Sequence, residues 1–209
     1  MSIASYFTVL RDADAEIEIK RSRFLARIRR VSSENAAREV IEAARKEFWD
    51  ARHHCSAFVI GPDGDLRRSN DDGEPSGTAG APMLHALVGR DVTDVVAVVT
   101  RYFGGVLLGA GRLVRAYSDA VAAGLDEAGT LRRTKQHVVD IRLAHAVVGK
   151  VENTLRAKGL MIIGTSYAEE ATLTVGVPAR TRGDLDVILA GVGRYTVTGE
   201  VWVDETRHP

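Results

Sequence analysis

The stretch Val99–Ala120, VTRYFGGVLLGAGRLVRAYSDA, constrains this chain more than any other. Val95, Val96, Val98 and Val99 lead into it as a buried strand over 94–103. Four glycines follow at Gly104, Gly105, Gly109 and Gly111, and helical spacing then runs from Arg112 to Ala128. A strand must therefore turn sharply into a long helix, with Arg101 before the turn and Arg112 and Arg115 after it. Glycine permits φ > 0 and close packing, so the turn can be a structural corner. Backbone N–H groups at a helix start attract anions, so it can equally be an anion cradle. Two named phosphate loops are excluded. No Lys-Ser or Lys-Thr follows the glycines, as a P-loop requires, and the spacing is not G-x-G-x-x-G. Arg112 and Arg115 share a helix face with Ser118 and Asp119, which brings two guanidinium groups toward one oxyanion or toward neighbouring carboxylates.

A second loop, NDDGEPSGTAGAP (70–82), holds three glycines and two prolines. Asp71, Asp72 and Glu74 fall within four residues of one another, just before Ser76, Gly77 and Thr78. Such carboxylates repel unless cations neutralise them. They either hold Mg²⁺ or aim Arg101 and Arg115 at a ligand, or they are turn residues bonded to local N–H groups. No metal-ligand spacing is present among the histidines, and no metal or cofactor is expected. In a strand His53 and Cys55 share a face, which suits a small buried thiol beside a packed histidine better than a nucleophile and its base.

Net charge is zero, from 28 basic and 28 acidic residues, and a division near Thr134 leaves each half neutral too. Neither half is a basic nucleic-acid domain by bulk charge, so a nucleic-acid surface must be a local patch. One cysteine forbids an internal disulfide and suggests a reducing compartment. The N-terminal segment does not read as a signal peptide and no run approaches 18 apolar residues, so a cytoplasmic location without membrane contact is expected.

In chain order, strands are expected at 16–20, 24–31 and 53–60. A helix capped by Ser32 or Ser33 carries the stripe Ala37, Val40, Ile41, Ala44, Phe48. Pro82 suits the first position of a short helix over 83–88. The first half is thus an α/β layer of about four strands with helices on one face. After LRRTK (131–135) the pattern restarts as strand (138–143), helix (145–158), two strands (160–165, 172–177), helix (181–190) and strand (195–203). That order, βαββαβ in roughly 70 residues, is the ferredoxin-like split motif. The fold class is α+β in two domains, 1–134 and 135–209.

DDGEPSGTAGAPM (71–83) and VVTRYFGGVLLGAGRLVRAYSDA (98–120), with KRSRF (20–24) and DARHHCSAFVIG (50–61), resemble the bacterial YigZ and eukaryotic IMPACT family. The resemblance implies a first domain like domain 2 of ribosomal protein S5. It implies a ferredoxin-like second domain similar to a terminal domain of elongation factors. Where the family usually reads GGLV this chain reads GRLV, so Arg112 replaces a glycine. Translational regulation without known catalysis is implied, through association with ribosomes or RNA. Arg23, Arg101, Arg112 and Arg115, with Ser76, Thr78 and the four glycines, are the candidate anion- or nucleic-acid-binding residues. A phosphate-containing ligand is the other partner considered. The alternative is a hydrolase or transferase acting on a phosphorylated substrate, with Asp71, Asp72 and Glu74 as acid/base groups or Mg²⁺ ligands.

Overall fold

The computed structural model describes residues 3–178 and 181–205. The chain divides into two units, residues 1–132 and 133–209, each with its own apolar core.

The first unit opens with β1 (Ser5–Val9), whose Phe7 bridges Val92; the next residue, Leu10, donates its N–H to the Gly129 carbonyl at 3.1 Å. The sheet that follows has five strands, all antiparallel: β2 (Ala13–Ile19), β3 (Ser22–Arg30), β4 (His53–Ile60), β5 (Leu66–Asn70) and β6 (Val95–Tyr102). Their spatial order is β2-β3-β6-β4-β5, which puts β6 in the middle. Register places Phe24, Arg101 and His53 in one row across β3, β6 and β4.

Helix α1 (Glu34–Glu47) covers one face of this sheet. Ser33 caps it by accepting the Ala36 N–H at 3.2 Å, and its stripe packs on Phe58, Ile60, Val96 and Val98. Helices α2 (Gly80–Gly89) and α3 (Ala110–Ala128) cover the opposite face, where Met83, Leu87, Leu113, Tyr117 and Val121 meet Phe24, Ile28, Cys55 and Val99. The expectation of helices on one face is therefore corrected. The reason is visible in β6: VVAVVTRY is apolar at successive rather than alternate positions, and such a run is buried on both sides.

Two further details differ from expectation. α2 starts at Gly80, so Pro82 sits third in the first turn, where no N–H is needed. β5 reads LRRSN, a short polar edge strand without the alternation that would reveal it.

The second unit runs β7 (Thr130–Leu143), α4 (Val148–Ala157), β8 (Met161–Tyr167), β9 (Ala171–Pro178), α5 (Arg182–Ile188) and β10 (Gly193–Asp204). The antiparallel order β10-β7-β9-β8 is the ferredoxin-like arrangement. Val139, Ile141, Leu173 and Val175 pack under Val151, Leu155, Leu185 and Leu189. On the other face the central strands are polar, with Thr174 donating to Asp140 at 2.7 Å. β7 begins earlier than its apolar pattern suggests, because its first part is held by cross-strand pairs, Arg133 with Asp204 and Lys135 with Glu200. Among the described residues no helix is long and apolar enough to cross a membrane.

Candidate functional site

The two glycine loops meet at one end of the first sheet, and Arg101 shows how. It leaves β6 on the α3 face and donates from Nη1 to Glu74 Oε1 at 2.6 Å. Both side chains are nearly sealed, at 7% and 3% exposed. Tyr117 of α3 donates to the same Glu74 oxygen at 2.8 Å. The Cys55 sulfur lies 2.9 Å from the Asp71 carbonyl oxygen and 3.3 Å from the Tyr117 hydroxyl. Burial pushes the Cys55 thiol up to about 12 and raises the Tyr117 phenol as well, so both stay protonated and neither is a nucleophile at neutral pH. The Arg101 guanidinium rests between two rings, 5.5 Å from Phe24 and 5.7 Å from Phe103, and its Nε has no hydrogen-bond partner among the described residues.

The other two acidic residues are equally occupied. Asp71 accepts N–H groups from Gly77 at 2.8 Å, Ala79 at 3.0 Å and Gly80 at 2.8 Å, which closes the loop onto the start of α2. Burial alone would raise its carboxyl, but these three backbone donors outweigh it and hold it below the usual value. Asp72 accepts from Arg45 at 2.6 Å and from the His54 N–H at 2.6 Å, while its carbonyl meets His53 Nδ1 at 2.9 Å. Thr78 bonds back to the Pro75 carbonyl at 2.6 Å as a turn residue, whereas Ser76 stands exposed. No group of three or more potential metal ligands occurs among the described residues. Read chemically, the acidic loop is a brace with internal partners.

The glycines separate by role. A Cβ on Gly104 would overlap the backbone of Arg21 and Ser22, and the Gly104 N–H donates to Ser22 Oγ at 3.1 Å. Gly105 and Gly109 have φ of +83° and +77°, the left-handed region that glycine enters without strain. Gly111 has neither reason: its φ is ordinary and a side chain there would meet nothing within 4 Å. It lies in the first turn of α3, whose N-cap Gly109 supplies no side-chain acceptor.

The four candidate arginines divide accordingly. Arg101 is internal, buried and paired with Glu74, whereas Arg115 is exposed on α3. Arg23 forms a two-point pair with Glu16, at 2.6 and 3.0 Å, and lies over Tyr102 at 5.6 Å. Arg112 and Arg115 are exposed on the first turns of α3 and have no hydrogen-bond or charge partner among the described residues. Ser118, beside them in sequence, is used in packing α3 to α2 by donating to the Pro82 carbonyl at 3.3 Å.

Sequence reasoning missed Tyr117 and Arg45. Tyr117 was open to discovery, because a tyrosine in the middle of an apolar helix stripe needs a partner for its hydroxyl. Arg45 was not, since 27 residues separate it from Asp72.

Comparison with known proteins agrees with the motifs. The Impact N-terminal domain family matches residues 20–125. IMPACT family member YvyE of Bacillus subtilis is 46% identical over 165 residues, 79% of this chain and 76% of that protein. The chain belongs to the IMPACT family. Another member of the family, YigZ of Escherichia coli, is 38% identical over 179 residues, 85% of this chain and 88% of its own. A domain of unknown function, DUF1949, matches residues 141–184 in the second unit. A crystal structure described only as that of a hypothetical protein superposes with a TM-score of 0.65 at 34% identity, covering 94% of this chain and 98% of the other.

Proposed function

We propose that this IMPACT-family chain is a non-enzymatic regulator associated with translation, which docks on a ribosome, an RNA or another anionic partner through the first turns of α3. The observation that carries this reading is the pairing of two unpartnered arginines, Arg112 and Arg115, with an uncapped helix start at Gly109–Gly111. A glycine at position 111 costs helix stability, by about 1 kcal/mol relative to alanine, and no packing need explains it. Close approach of a partner to the bare backbone does explain it. Arg23 is not part of this surface: with Phe24 facing α3, it points to the α1 side of the sheet, over Tyr102 and engaged with Glu16. The link to translation comes from the family. A hydrolase or transferase using Asp71, Asp72 and Glu74 would need those carboxylates free, and each is bonded within the fold.

The test is sedimentation with ribosomes on sucrose gradients, comparing the wild type with Arg112→Ala/Arg115→Ala. Association is expected to fall, with a flatter salt dependence, while the thermal midpoint stays within the range of a surface change of about 0.5 kcal/mol. Unchanged co-sedimentation of the double variant would overturn the reading.

A further inference from the structure

We infer that the outer edge of β5, with the groove between it and α1, docks an extended acidic segment of a partner protein as an added strand of the first sheet. This surface lies on the α1 side and is independent of the α3 site. β5 ends the strand order, so one side of its backbone has no neighbouring strand. Arg67, Arg68, Ser69 and Asn70 are all exposed. Register fixes where they point. Phe58 packs on the α1 side, and Arg68 and Asn70 stand opposite Phe58 and Ser56, so both point to that side, while Arg67 and Ser69 point to the other.

α1 packs over β4 and β6, and between its flank and β5 runs one groove of about 370 Å³. Its helix wall is Arg38, Ile41, Glu42 and Arg45, whose spacing puts them on one side of α1. Arg68 and Asn70 form the strand wall, and Ser56 and Phe58 of β4 the floor. Three arginines thus face one acid, Glu42. Arg68 has no acid partner among the described residues, and its Nη1 has settled on the Arg67 carbonyl at 2.9 Å. Arg38 holds Glu34 through an exposed pair one turn back along the helix, a kind of contact worth little and readily exchanged. Arg45 is turned to Asp72, and its sealed Nε has no hydrogen-bond partner among the described residues. Ser56 is 6% exposed, and its hydroxyl too has no hydrogen-bond partner among the described residues. A buried polar group without a partner in the wall of a groove points to one supplied from outside.

Strand addition takes its main-chain hydrogen bonds from a free edge and its specificity from alternate side chains. Arg38 and Arg45 are about 10.5 Å apart along α1, and same-face side chains of an added strand recur about every 6.7 Å, so two successive acidic side chains fit within the groove. Two arginines on β5 itself repel a second copy of the same strand, which selects against self-pairing. A small anion satisfies the cations but leaves the backbone edge unused. A nucleic acid offers no N–H and C=O groups in strand register.

The test uses the full chain and a seven-residue peptide that alternates glutamate and valine, with a fluorophore at its N-terminus. Titration should raise the anisotropy to saturation, and amide hydrogen exchange over residues 66–70 should slow in the complex. Arg68→Ala should weaken binding about fivefold, the loss of one exposed ion pair. Arg38→Ala/Arg68→Ala should weaken it about twentyfold, since the two cations act from separate walls. The same peptide with N-methylated valines keeps its charge, loses main-chain donors and should not bind measurably. Arg112→Ala/Arg115→Ala should bind the peptide as the wild type does. No saturation, no slowing over 66–70, or Arg68→Ala binding as tightly as wild type overturns the proposal. Equal binding of the N-methylated peptide, or equally strong displacement by tripolyphosphate or oligouridylate, also overturns it, since the groove would then read charge alone. Loss of peptide binding in Arg112→Ala/Arg115→Ala would move the contact to α3 and overturn it too.

Discussion

Arg101→Met should unfold the first unit far more readily than its single-residue size suggests. The guanidinium and the Glu74 carboxylate are 2.6 Å apart with 7% and 3% of their side chains exposed, so the carboxylate left behind has almost no water to turn to. Breaking one side of such a pair costs about 3–5 kcal/mol. Tyr117 still donates to Glu74 and offsets part of this, which places the expected loss near the lower end of that range. With a urea m-value of about 2 kcal/mol/M, the midpoint should fall by about 1.5–2 M. Replacing both charges, as Glu74→Leu/Arg101→Met, removes the stranded group and should recover most of the loss, apart from the Tyr117 hydroxyl that then lacks its acceptor. Adding Tyr117→Phe should recover that part too. Urea unfolding of the single, double and triple variants, followed by circular dichroism, gives the coupling directly. A loss below about 1 kcal/mol for Arg101→Met, or a double variant as unstable as the sum of the singles, would refute the picture of a sealed ion pair.

Gly104→Ala should prevent native packing of the loop, because its Cβ overlaps the Arg21 backbone, whereas Gly111→Ala meets open space and should raise stability by about 0.5–1 kcal/mol while weakening partner binding. Thermal denaturation and gradient sedimentation of the two variants separate these effects. Cys55→Ala should cost about 1–2 kcal/mol, and the native thiol, buried and pushed up to about 12, should react with an aromatic disulfide reagent only as fast as the unit opens. Asp71 has a folded pKa below its usual 3.8, so its stabilising contribution is present above about pH 4 and is lost as pH falls through the lowered value. Asp71→Asn should therefore lower the urea midpoint near neutrality and flatten its fall in acid; parallel pH curves for the two proteins would contradict the assignment.

Periodicity made most of the fold legible. The ferredoxin-like order could be read because each of its strands and helices in the second half carries an apolar face of its own. β5 and the first part of β7 escaped notice because charged and polar residues pair there across strands, and pairing leaves no periodic trace. The burial of β6 on both faces was written in VVAVVTRY, yet a continuous apolar run does not say what covers each side. At the site, the sequence identified the right loops but not which cations are free. Arg101 and Arg115 look alike in a string of letters. Glu74 and Tyr117, 27 and 16 residues from Arg101, decide that one of them is a strut and the other a surface group.

The central place of β6 also governs how the chain can be made. Its neighbours β3 and β4 are both synthesised before it, in separate hairpins with β2 and β5. Until residue 102 has left the ribosome, each hairpin shows an open edge whose partner has not yet been made, and Phe24, Ile28 and Phe58 lack the strand that lies between them. Unpaired edges of this kind seek other chains. A nascent chain stalled or cut between Gly89 and Val95 is thus two half-sheets without a centre, prone to associate with its copies. The β6 strand does for the growing polypeptide what a keystone does for an arch: nothing on either side bears load before it arrives.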